Sequence, residues 1–171
     1  MAIQIAKALG AGLVVATAAT PEKRAYVLSL GADASVDYED PNWPQAVLDR
    51  TDGRGVDIIL ESIGGNVFEQ NFACLAARGR VIMFSAIRPA PPFPPRRLLA
   101  KSQTLTGFFA GSFFTRPVLV QEALHFLVDH ASDGSVRPQV AKTLPLSQAA
   151  ESHRLLEGRK VKGVIVLDSR A

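Results

Sequence analysis

Cysteine is nearly absent: Cys74 is the single one in 171 residues. One cysteine cannot form an internal disulfide, so a packed core must hold the chain, and a reducing, cytoplasmic setting is expected. No apolar run reaches the roughly 18–20 residues of a membrane helix, so no membrane partner is expected. The first residues, with Lys7 inside an apolar-periodic stretch, lack the shape of a signal peptide. A large charge of one sign is missing too. Nineteen Lys and Arg face sixteen Asp and Glu, a formal net charge of +3. The basic residues are scattered, densest at Arg96-Arg97, which gives no footprint for nucleic acid. His125, His130 and His153 do not fall at ligand spacing with Cys74, so no metal site is expected. No Ser/His/Asp motif supports hydrolase chemistry.

What is present is a globular composition, 47% hydrophobic and 20% charged, in a chain long enough to bury a core. Leu13-Val14-Val15-Ala16 is an apolar run that predicts a short buried strand. Behind it, Thr20 fits an N-cap, Pro21 a first helical position and Glu22 a first turn. The remaining pattern predicts a helix over 1–9, a helix over 21–30 closed by Gly31, and a strand over 34–38. A helix over 43–50 and a strand over 56–60 follow. Phe68, Phe72 and Leu75 stand at i, i+4 and i+7, which predicts a helix over 66–77 ended by Gly79. A strand over 80–85, an extended loop carrying five prolines over 89–95 and a strand over 103–109 come next. After Gly111 the pattern predicts a helix over 117–131, a strand over 140–144, a helix capped by Ser147, and a last strand over 162–167. Strands alternating with helices argue for an α/β fold with a parallel sheet and right-handed crossovers.

In such sheets, ligands bind at the C-terminal ends of the strands. Lys23 puts a cation beside the first strand end, where an adenosine ribose would lie in a dinucleotide fold. No Asp or Glu occupies the strand tip, where an acid would hold a ribose 2′-OH. A nucleotide site here would therefore favour NADP, although Lys23 also reads as a solvated first-turn residue. Thr17 and Ala18 are small enough for close backbone approach. Ser62 and Gly64 end another strand and read either as cofactor contacts or as turn chemistry. Phe84 and Ser85 end the next, with Phe84 equally readable as core. Phe108, Phe109, Phe113 and Phe114 read as core packing or as the wall of a pocket for flat substrates.

Several stretches carry a resemblance. They include Ala2-Ile3-Gln4-Ile5-Ala6-Lys7-Ala8-Leu9-Gly10-Ala11, Pro21-Glu22-Lys23-Arg24, Leu30-Gly31-Ala32-Asp33, Val36-Asp37-Tyr38, Gly53-Arg54-Gly55-Val56-Asp57 and Glu61-Ser62-Ile63-Gly64-Gly65. Leu105-Thr106-Gly107-Phe108, Ala149-Ala150-Glu151-Ser152-His153 and Gly163-Val164-Ile165-Val166-Leu167 continue it in order. Together they resemble the zinc-independent quinone oxidoreductase branch of the medium-chain dehydrogenase/reductase superfamily. The resemblance implies an incomplete doubly wound (Rossmann) sheet over 1–113, lacking its first strand and Gly-rich phosphate turn. It implies that 114–171 is a C-terminal segment packing on a substrate domain outside this chain. It further implies hydride transfer from NADPH to a quinone or enone. Lys23 and Tyr38 would meet the 2′-phosphate, Thr17, Ala18, Ser62 and Gly64 would line the cofactor, and Phe84 and Ser85 would flank the nicotinamide. No catalytic proton donor can be named from this chain, which alone is expected to be inactive. The parent protein is expected to be a homodimer. The rival reading is a non-catalytic nucleotide-binding or scaffold protein that kept the fold but not the phosphate turn.

Overall fold

The structure is a computed structural model describing residues 1–158 and 161–170. Its elements are α1 (Ala2–Ala8), β1 (Val15–Thr17), α2 (Pro21–Ser29), β2 (Ala34–Val36), α3 (Trp43–Asp49), β3 (Val56–Glu61) and α4 (Gly65–Cys74). They continue as β4 (Leu75–Met83), β5 (Thr104–Gly107), α5 (Pro117–Ser132), β6 (Val140–Pro145), α6 (Ala149–Glu157) and β7 (Val164–Asp168). α2 begins as its sequence dictates. The Thr20 hydroxyl accepts the Lys23 amide at 3.3 Å, and Pro21 opens the helix with its φ already set. Gly31, at φ +96°, turns the chain out of it.

β1 and β2 form one sheet, β3-β4-β5 a second and β6-β7 a third; the second and third are parallel. Among the described residues, β3 has one hydrogen-bonded neighbour, and its Ile58 and Leu60 are each 53% exposed.

Two local expectations are corrected. The helix predicted over 66–77 stops at Cys74, and Leu75 begins β4. Leu75 is fully buried, as its spacing required, but from a strand: its partner across the sheet is Val56. The register then jumps to Ile58 opposite Arg80, so residues 76–79 bulge out, with Arg78 at φ +60° and Gly79 inside the strand instead of ending a helix. The Gln103 side-chain amide holds the bulge by donating to the Leu75 and Ala76 carbonyls at 3.0 and 3.2 Å. Ser147 is not the cap of α6. It lies within a 3₁₀ turn, Leu146–Gln148, and the helix follows from Ala149.

The described chain divides into two compact units, one of residues 1–16, 20–35 and 123–171, the other of 17–19 and 36–122. In the first, Lys7 Nζ reaches both Asp33 carboxylate oxygens at 2.5 and 2.7 Å, and Asp33 also accepts the Val14 amide at 2.6 Å. In the second, Phe68, Phe72, Leu75 and Val81 form the core, with Ile59, Met83, Phe93, Leu98 and Leu105 against it. Phe93 belongs to the proline-rich loop. Its ring stacks on Phe72 at 4.4 Å and meets Phe68 edge-on at 5.6 Å. The Arg97 guanidinium lies over both the Phe72 and Phe93 rings and pairs with Glu69 at 3.2 Å.

Candidate cofactor site

The second unit gathers its strand ends around one turn. β3 finishes at Glu61, and Ser62, Ile63 and Gly64 lead into α4. The chain leaving β4 runs alongside. Phe84 donates its amide to the Glu61 carbonyl at 3.1 Å, Ile87 to Ser62 at 3.2 Å and Arg88 to Ile63 at 2.7 Å. Ser62 and Gly64 are thereby brought beside the 84–88 segment that carries Phe84 and Ser85, both exposed. Phe84 is half exposed, so it is not core. Phe108 joins the same end, donating its amide to Met83 at 2.8 Å and stacking on Phe113 at 5.1 Å. The four phenylalanines at 108, 109, 113 and 114 are all at least 38% exposed, so their packing is not that of a core.

Gly64 is required by geometry. Its backbone sits at φ 75° and ψ −158°, a region essentially open to glycine alone. A Cβ there would stand 1.9 Å from the Arg88 carbonyl oxygen. Ala18, at the end of β1, is buried and donates its amide to the Val36 carbonyl at 3.0 Å; Thr17 beside it is exposed. Tyr38 follows β2 in a turn and is half buried. It lines a cleft of about 180 Å³ together with Glu39, Asn66, Val67 and Arg88. Within that cleft, Arg88 pairs with Glu39 at 3.0 Å.

Lys23 belongs to the first unit, in the first turn of α2. Its backbone amide is taken by the Thr20 cap, and its ammonium forms no ion pair among the described residues. The cap beside it also draws the neighbouring Glu22 carboxyl below its ordinary value, first through the Glu22 backbone and then through the Thr20 hydroxyl. Two residues of the site escaped the sequence reading. Arg88 stands at the head of the proline-rich loop, and nothing in the sequence ties it to Glu39 or Gly64. Glu61 does carry a signal: it is an acid ending the apolar strand Val-Asp-Ile-Ile-Leu-Glu, and it is 2% exposed.

The family of zinc-binding dehydrogenases matches residues 1–129. The chain belongs to this family. A 2-haloacrylate reductase of a Burkholderia species is 30% identical over 171 residues, covering 95% of this chain and 49% of that protein. A quinone oxidoreductase of Pseudomonas aeruginosa is 29% identical over 168 residues, covering 97% and 51%. Among solved structures, a quinone oxidoreductase from Thermus thermophilus, also crystallised as its complex with NADPH, superposes with a TM-score of 0.85. It is 33% identical and is matched over 97% of this chain and 53% of its own. The chain spans about half the length of the curated relatives it matches. These neighbours carry the Rossmann-like α/β fold of medium-chain dehydrogenases.

The zinc of the family's name finds no donor set in this stretch. Among the described residues, no three His, Cys, Asp or Glu side chains converge. Cys74 is 1% exposed, and burial pushes its thiol up to about 11. A zinc-binding cysteine must instead give up its proton readily.

Proposed function

We propose that this chain is the cofactor-binding part of an NADPH-dependent oxidoreductase that reduces a quinone or an α,β-unsaturated carbonyl without zinc. The observation that carries this reading is the joining of the residue 62–64 turn to the 84–88 segment at the strand ends of the parallel sheet, where doubly wound folds hold dinucleotides. When bound, the cofactor supplies the hydride. The chain's own residues bind and orient it. Lys23 and Tyr38 receive the 2′-phosphate. Thr17 and Ala18 admit the ribose. Ser62 and Gly64 line the crossing, and Phe84 and Ser85 flank the nicotinamide. The stacked Phe108 and Phe113 offer a flat apolar wall suited to a planar substrate. Residues 114–171 serve as the segment that completes the substrate side. Turnover needs further chain of the kind its longer relatives possess, and the working protein is a homodimer in the cytoplasm.

Fluorescence titration of the chain with NADPH and with NADH tests the cofactor reading. NADPH is expected to bind more tightly. Lys23→Ala is expected to weaken NADPH about tenfold, the equivalent of ~1.4 kcal/mol, while leaving NADH unchanged. Equal affinities for the two cofactors in the unsubstituted chain would remove the NADP assignment. Binding of neither would favour a scaffold that kept the fold alone.

A further inference from the structure

Glu61 is a buried acid that no step above uses. It is 2% exposed, and no Lys or Arg pairs with it among the described residues. A buried carboxylate persists only when its oxygens are well hydrogen-bonded. Here one oxygen accepts the Ile63 amide at 2.5 Å and the Gly64 amide at 2.7 Å. The other accepts the Asn71 side-chain amide, one and a half turns along α4. From the outer side, Ser62 and Ile63 present their carbonyls to the Ile87 and Arg88 amides, and Gly65 donates to the Pro89 carbonyl at 3.2 Å. The amides of 63, 64 and 65 are therefore all engaged within the protein. The carboxylate lies at the positive end of α4, which favours its charge.

We propose that Glu61 is the positioning residue of this turn: its carboxylate holds residues 62–64 in the shape that admits the cofactor. The proposal rests on the cofactor reading above and deepens it. The cofactor's ribose on the nicotinamide side crosses here. Glu61 itself touches no cofactor.

The test compares two probes on the 171-residue chain, NADPH and adenosine 2′,5′-bisphosphate, which lacks the part that crosses the turn. Glu61→Ala is expected to weaken NADPH about tenfold and to change the bisphosphate by less than about twofold. Amide hydrogen exchange at Ile63 and Gly64 is expected to accelerate. Glu61→Gln keeps an oxygen toward both amides, and the Asn71 amide can turn to meet it. This variant is expected to restore NADPH affinity to within about threefold. Should the alanine variant fail to fold, Glu61→Asp, one methylene short of the amides, is expected to show the same split between the probes. Equal weakening of both probes, an unchanged NADPH affinity, or a glutamine variant as impaired as the alanine would each overturn the proposal. If the unsubstituted chain binds neither probe, the proposed function falls. The exchange data then decide the role of Glu61 alone: faster exchange confined to residues 63 and 64 sustains its hold on the turn, and unchanged exchange removes it.

Discussion

A methyl group at Gly64 would stand 1.9 Å from the Arg88 carbonyl oxygen, far inside van der Waals contact and against backbone that cannot swing aside. Gly64→Ala is therefore expected to cost about 3 kcal/mol or more, combining the overlap with a backbone conformation that alanine rarely adopts. Urea denaturation followed by far-ultraviolet circular dichroism measures it; a loss under about 1 kcal/mol would show that the Arg88 segment yields easily. At this scale the sequence was legible where a residue type has few uses. Thr20, Pro21 and Gly31 did what capping chemistry demands. Glu61 stands out in the sequence only as an acid ending an apolar strand; the burial that gives it its importance is not visible in that strand's pattern.

Elements show where periodicity misleads. Phe68, Phe72 and Leu75 point into one core, yet only the first two do so from a helix. A spacing of i, i+4, i+7 cannot distinguish a continuing helix from a helix that hands its next core position to a strand. The proline-rich loop was legible as extended, but its anchor was not, since Phe93 packs against rings some twenty residues earlier. Phe93→Ala is expected to destabilise the second unit by about 1–3 kcal/mol and to make residues 89–95 a preferred site of proteolysis. Unaltered cleavage kinetics would show that the loop is held by other contacts. In the first unit, Asp33 joins α1 to the start of β1. Hydrogen bonds from Lys7 and then from the Val14 amide draw its carboxyl below the ordinary 3.8. A lowered value means that the stabilisation is fully present above pH 3.8 and is lost as pH falls through the folded-state value. The stability difference between the natural chain and Asp33→Asn should thus be constant near neutrality and shrink in acid. A difference that grows below pH 3.8 would contradict the assigned bonds.

For the whole molecule, alternation of strands and helices made the α/β class readable, while the pairing of the strands needed the coordinates. That the sheet is incomplete was implied by the family resemblance alone, and its physical result needed coordinates. Ile58 and Leu60 stand half exposed on β3, and α5 carries Val118, Leu124 and Val128 at 54–63% exposure with no buried residue along its length. Unpaired strand edges and apolar faces of this kind favour association. The chain is expected to self-associate with rising concentration in light scattering, and Ile58→Lys together with Leu60→Lys to reduce it. A monodisperse monomer with a sharp, reversible melt would refute this. The buried single cysteine has a use of its own. Alkylation of Cys74 can proceed only when the unit around it opens, so the labelling rate is a clock for that opening. A ligand that binds only the closed unit must slow the clock in proportion to its occupancy. Affinity for a dinucleotide can then be read from a thiol at the far end of α4, with no turnover at all.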